Sequence, residues 1–364
     1  MTSRRENLLA VLRGEEPDWL PLSINCKQWF EHHRALGDLP AELADGDYLD
    51  ALLRLGFDIF SRNHDGGQRS FCDVPSDWQE KETPLGRRQT VTDRTPYGEL
   101  RRVRQEQRAI GTWHDELYPV RDWAEQGRAL WYTLEHTTVD WDEEAFTAVR
   151  DRIGDAGVFL VPCAWTPLKQ LHHVCGLDGA CYAILDHRDE VAAYADAWWA
   201  RCVRPLLARM AAHPRLDAVI LMDNVDTPFY PPNIVARLWT PYVREATELL
   251  AAAGKTCWVH ACGKLDGLRQ AFADSGVSGL EGMPHPPLGD IDVVDAHAIH
   301  PGFIYNGGFG AHEQNGNEEQ VRDFYADFLP RAGRRRFIFG SACNTAVQTP
   351  YERILMVRDL ARNF

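Results

Sequence analysis

The feature that most constrains this chain is an alternation running its whole length: short apolar runs, each separated from the next by a stretch with helical spacing. Eight such runs begin near residues 20, 57, 158, 217, 256, 278, 302 and 336. Two of them, Gly157 to Cys163 and Leu216 to Met222, are almost continuously apolar, as strands covered on both faces are. Strands of that kind make a parallel sheet, whose connections must cross over, usually as helices. Eight strands and eight crossovers close into a (β/α)8 barrel, a fold that accommodates 364 residues as one unit with insertions. The expectation is an α/β TIM barrel forming a single domain over residues 1–364, preceded by a short N-terminal helix.

Local signals place the helices. Ser3 and Glu6 form a capping box for a helix over about 4–13. Further helices are expected near 47–55, 121–130, 142–153, 169–175, 180–212, 232–253, 264–274, 288–297, 317–329 and 350–362, the last with Thr349 as N-cap and Pro350 at its first position. Residues of about 62–115 break the alternation. Arg87 to Arg94, a Pro96 to Gly98 turn and Glu99 to Gln105 read as an inserted hairpin, serving either to shape a pocket or to cover apolar surface.

Active sites of such barrels lie where the strands end. His260 and Cys262 close the fifth run, and side chains two residues apart in a strand point the same way. Cys343 follows the eighth run in the same relation. An imidazole and two thiols suit zinc, which keeps a fourth position open in catalytic sites. Glu281 ends the sixth run, as a fourth ligand or as a carboxylate pairing with a ligand. Asp223 and Asn224 end the fourth, able to touch substrate, orient a ligand or cap the next turn, while Asp226 reads as structural. Tyr305 and Asn306, before Gly307 and Gly308, are candidates for contact with a cofactor or substrate. Cys257 has the opposite parity to His260 and belongs to packing, and His285, His297, His300 and His312 read as surface histidines.

The totals narrow the partners. Lys plus Arg less Asp plus Glu is 39 − 53 = −14, which disfavours nucleic acid and anionic membranes and favours small molecules. The chain contains no apolar run of spanning length, and its start lacks the apolar core of a signal peptide. Nine scattered cysteines fit a reducing compartment, so a cytoplasmic location is expected, with the oligomeric state open.

Arg5 to Asp18, Leu221 to Asn224, Gly254 to Gly263, Tyr305 to Gly308 and Gly340 to Pro350 together resemble the uroporphyrinogen decarboxylase superfamily, and within it the zinc-dependent, corrinoid-linked methyltransferases. The resemblance runs nearly end to end and is weakest over the insertion. It implies His260, Cys262 and Cys343 as zinc ligands, and methyl transfer between a corrinoid (cobalamin) carried on a separate protein and a small substrate, by O-demethylation of a methoxylated aromatic or methylation of a thiol. The metal-free decarboxylases of the superfamily need an arginine-rich segment after the first strand, whereas residues 23–37 offer only Lys27 and Arg34. A zinc hydrolase on the same barrel, or a barrel that only stores or senses metal, are the other readings. The two thiolates count against the hydrolase.

Overall fold

The computed structural model describes residues 2–364. Eight parallel strands form the barrel: β1 (Leu22–Ser23), β2 (Ile59–Ser61), β3 (Gly157–Trp165), β4 (Ala218–Met222), β5 (Thr256–His260), β6 (Gly279–Met283), β7 (Ile304–Phe309) and β8 (Phe337–Ser341). The strand ladders run β1-β8-β7-β6-β5-β4-β3-β2. At the remaining seam, between β1 and β2, the Asp58 amide donates to Leu22 O (2.8 Å). Beyond it a side chain does the work of the ladder: the Ser23 hydroxyl donates to Phe60 O (3.1 Å) and accepts from the Phe60 amide (3.0 Å).

Side-chain parity divides the strands as their period of two requires. Phe60, Val158, Leu160, Ala218, Ile220, Trp258, Ile304 and Ile338 fill the barrel with Leu8 and Val11 of the first helix, α1 (Arg4–Leu12). Val219, Cys257, Val259, Leu280 and Phe339 face outward into the helix layer, Cys257 as its parity indicates. Ser3 caps α1 by accepting from the Glu6 amide (3.1 Å). The helix plugs the amino end of the barrel, where Arg5 reaches Asp217 (2.8 Å) and Gly157 O (3.3 Å). Access to the barrel is therefore from the carboxyl end.

The insertion is larger than a hairpin. Gly86–Thr95 and Gly98–Gln107 pair as expected around the Pro96–Tyr97 turn, but Ser76–Thr83 and Thr112–Leu117 extend them into a four-stranded antiparallel sheet. Gln68–Cys72 also pairs with Thr137–Trp141. The first outer strand, Ser-Asp-Trp-Gln-Glu-Lys-Glu-Thr, is exposed on both faces and has no apolar alternation to betray it. Cross-strand pairs such as Arg94 with Asp77 (2.5 Å) hold it instead.

Several helix expectations also change: only Val293–Ala296 is helical within 288–297, and 180–212 is divided among Pro167–Asp186, Arg188–Trp198 and Arg204–Ala212. Residues 232–253 form two helices, Pro232–Leu238 and Thr240–Ala252, broken at Trp239, because Pro241 has no amide to donate and the Trp239 indole is drawn to Asp223 (2.6 Å). The last helix is Tyr351–Asn363 with Pro350 at the cap; Thr349 does not cap it, its hydroxyl lying toward Gln314 Oε1 (3.5 Å). No described helix is long and apolar enough to cross a membrane.

Candidate metal centre

Three chain segments far apart in sequence meet at the carboxyl end of the barrel. His260 is the last residue of β5, Cys262 lies two beyond it, and Cys343 lies two beyond β8. One ligand atom from each falls within 4.8 Å of the others. Gly263 makes the turn after Cys262 at φ +127°, and a Cβ there would stand 2.5 Å from the Asp226 carboxylate, which accepts from the Lys264 amide (3.0 Å). Asp226 is structural, as its place in the turn implies. Asn25 fixes the other loop: it donates to Cys343 O (3.2 Å) and Asn344 Oδ1 (2.9 Å), and accepts from Asn63 (2.7 Å).

Parallel register sets His260 beside Glu281 on β6. His260 Nδ1 and Glu281 Oε2 are 2.5 Å apart, and both residues are buried. Because this contact engages Nδ1, Nε2 is the ring nitrogen left for a metal. Burial disfavours the charged imidazole, yet Glu281 and a hydrogen bond to Cys343 raise its pKa to about 9. Burial likewise opposes the Glu281 charge, and Arg62 and His260 overcome it, holding the carboxyl at about 2. The two thiols pull each other's protonation apart: Cys262 beside it lowers the pKa of Cys343, and the proximity of Cys343, with burial, raises that of Cys262. The Gly282 backbone is at φ +86°, and a Cβ there would come within 2.8 Å of the imidazole Cε1. A side chain at 282 would displace His260.

Arg62 is the residue the sequence reading missed. It follows β2 directly, so the strand-end rule applied to it, but it had been assigned to the insertion. Its Nε donates to Glu281 Oε2 (2.9 Å) and its Nη2 lies 3.4 Å from His260 Nδ1. Glu281 is thus engaged by Arg62 and by His260 and stands outside the three converging donors.

The other candidates separate by orientation. Asn224 Oδ1 lies 3.0 Å from the Cys262 sulfur. Asp223, fully enclosed, accepts from Thr166, from the Trp239 indole (2.6 Å) and from the Asn224 amide (2.7 Å), so it shapes the loop that presents Asn224. Asn306 is paired in register with Glu281 and shares with it and Arg62 a small gap at the barrel top. Tyr305 departs from expectation: its odd parity turns it into the helix layer, where its hydroxyl donates to Met283 O (3.1 Å) and its ring packs on Phe337. It does not face the centre. His285 is not a surface histidine; it is buried, with Nε2 3.2 Å from Glu313 Oε1 and its ring stacked on Phe324.

Above Arg62 opens a cavity of about 580 Å³ between α2 (Lys27–Leu36) and the tip of the inserted sheet, with Asn63 and Asn344 in its floor. Gln28 ties the two walls together by donating to Ile110 O (2.6 Å) and Gly111 O (3.4 Å). The insertion therefore shapes a pocket, one of the two roles expected for it.

No protein-family model matches the chain, and no curated protein matches its sequence. Among solved structures it is similar to a methyltransferase from Methanosarcina mazei, with a TM-score of 0.63 at 11% identity, covering 100% of this chain and 99% of that one. A second similarity, to a Listeria monocytogenes protein assigned as a vitamin-B12 independent methionine synthase, has a TM-score of 0.37 at 16% identity over 60% of this chain and 68% of that one, too loose to carry an argument. The full-length likeness is one of fold, an α/β TIM barrel with helices around eight parallel strands.

Proposed function

We propose that this chain is a zinc-dependent methyltransferase, moving a methyl group between a corrinoid on a separate protein and a small substrate that enters through the cavity above Arg62. The observation that carries the reading is the convergence of His260, Cys262 and Cys343 within 4.8 Å at the catalytic end of the barrel. Two thiols and an imidazole form a soft donor set suited to zinc, and three donors leave one position for substrate. Zinc held in this way would supply a Lewis acid that favours the ionised form of a sulfur or oxygen atom placed against it.

The rest is the work of the chain's own residues. Glu281 engages Nδ1 of His260 and so presents Nε2, the arrangement that fixes ring orientation in histidine metal sites. The Cys262 thiol donates to Asn224 Oδ1, and as a metal-bound thiolate it would instead accept from the Asn224 amide nitrogen once that amide turns, while Asn25 holds the loop bearing Cys343. Arg62 brings positive charge to the side facing the cavity, where negative charge develops on an oxygen that gives up its methyl group. The plug formed by α1 closes the opposite end, so substrate and corrinoid would both approach from the carboxyl face. The full-length likeness of fold to a methyltransferase supports the same reading.

Elemental analysis of the purified chain tests it, beside Cys262→Ser and Cys343→Ser. About one zinc per chain, lost in both variants, is expected, since each removes one of three ligands. Methyl transfer is then followed by the absorbance change when free cob(I)alamin is methylated by a methoxylated aromatic, or when methylcobalamin methylates a thiol. Zinc-free wild type with folded, unchanged variants would overturn the proposal.

A further inference from the structure

We infer that the outer strand of the inserted sheet, Ser76–Thr83, is an interface on which two copies of this chain pair antiparallel about a two-fold axis, Gln79 facing Gln79. The inference stands apart from the methyltransferase reading. Its ground is an open strand edge whose backbone and charges fit a second copy of themselves in one register.

Ser76–Thr83 pairs with Gly86–Thr95 on one side and, among the described residues, with no strand on the other. Every residue from Ser76 to Glu82 is exposed. The Arg94 amide donates to Pro75 O (2.8 Å) and Thr83 faces Gly86 across the turn, so Pro75, Asp77, Gln79, Lys81 and Thr83 bond inward. Ser76, Trp78, Glu80 and Glu82 therefore aim their amides and carbonyls at the open side. Proteins cover or charge such edges, because a bare row of donors and acceptors recruits another strand. This row instead carries Trp78, 59% exposed, near its middle. Lys81 faces Arg88, which is committed to Glu116 (2.7 Å), and has no acidic partner among the described residues. Asp77 gives Oδ2 to Arg94 (2.9 and 2.5 Å) and leaves Oδ1 free.

Pleat parity restricts pairing with a second copy to registers in which outward-bonding residues face one another. Among the registers that overlap most of the strand, those with Asp77, Glu80 or Lys81 on the axis set a charge against itself. With Trp78 on the axis, Lys81 faces only Pro75. With Gln79 on the axis, Asp77 of each copy faces Lys81 of the other in a non-hydrogen-bonded pair, where side chains stand closest. The lysine that would repel an unrelated strand then meets the free Asp77 oxygen. Trp78 lies diagonal to its counterpart, within the reach of aromatic side chains, and its exposed ring is covered. Glu80 and Glu82 add little repulsion, since Gln89 (2.8 Å) and Arg108 (3.0 Å) already engage them. The two four-stranded sheets join into one continuous sheet.

Sedimentation velocity of the full chain over a concentration series tests the inference. One strand edge makes a small interface, so a dimer with a Kd on the order of 10 μM is expected. Glu80→Pro removes an outward amide and no inward one, so it should leave the far-UV circular dichroism intact and the chain monomeric. Lys81→Asp and Asp77→Lys should each weaken self-association about tenfold or more, since each sets like charges face to face twice. An equimolar mixture of these two variants should associate again, because every facing pair is then of opposite charge. The mixture reads the register without relying on Glu80→Pro. Wild type that stays monomeric at about 300 μM, a dimer that survives Glu80→Pro, or a mixture no more associated than either variant alone would each overturn it.

Discussion

Replacing Glu281 by Gln separates a ligand from a residue that positions a ligand. The carboxylate is 2.5 Å from His260 Nδ1 and 2.9 Å from Arg62 Nε, and the side chain is 9% exposed. The amide keeps an acceptor of the same shape and loses the charge. A carboxylate that orients a metal-bound histidine is worth about 10–100-fold in metal affinity, or roughly 1.4–2.7 kcal/mol. Loss of the charge also strips Arg62 of its counter-ion, and breaking a buried pair costs about 3–5 kcal/mol when one partner is removed outright. Retention of an amide acceptor should reduce that to about 1–3 kcal/mol. Zinc affinity measured by competition with a chromophoric chelator should therefore fall by one to two decades, with a lowered midpoint in urea. The double variant Arg62→Met, Glu281→Gln should regain stability without regaining affinity, since it removes the stranded cation and not the orientation defect. Complete loss of zinc, equal to that in Cys262→Ser, would refute the positioning role and make Glu281 a ligand. An unchanged affinity would refute the coupling between Glu281 and His260.

Three further outcomes are expected. Gly282→Ala forces a left-handed backbone at about 1–2 kcal/mol and pushes a methyl against the His260 ring, so zinc content should drop along with stability in the same preparation. Ser23→Ala removes both hydrogen bonds that complete the seam between β1 and β2 and leaves the Phe60 amide and carbonyl without that partner, costing about 1–3 kcal/mol in urea unfolding. His64 is held by burial at a pKa of about 4, well below its ordinary 6.5. The unfolded chain takes up its proton first as pH falls, so stability should be full above 6.5 and decline from there to 4. The loss is at most about 3 kcal/mol, and His64→Asn should flatten that part of the profile. A series of unfolding midpoints between pH 7 and 4 reads it directly.

Much of the centre was legible because barrel geometry converts sequence position into spatial position. A residue just beyond a parallel strand lies at the carboxyl face whatever the distance along the chain, which is how Cys343 joins His260 and Cys262. Period-two parity also put Cys257 in the helix layer correctly. The same parity applied to Tyr305 would have turned it outward; its neighbour Asn306 is the one that faces the centre. Arg62 escaped because its strand, Ile59–Ser61, is short and runs into a polar insertion, which hides where one ends and the other begins.

The sequence by itself determined the eight-fold alternation, the plug helix with its Ser3 cap, and the identity of three soft donors at strand ends, because apolar period and capping chemistry act over a few residues. Only the tertiary structure decided that Glu281 pairs with His260, that Arg62 joins them, and that Gln28 joins α2 to the sheet tip to wall a cavity. Those outcomes depend on strand register and on which loops meet above the barrel. Such contacts span as many as 219 positions between Arg62 and Glu281, and no local pattern encodes them.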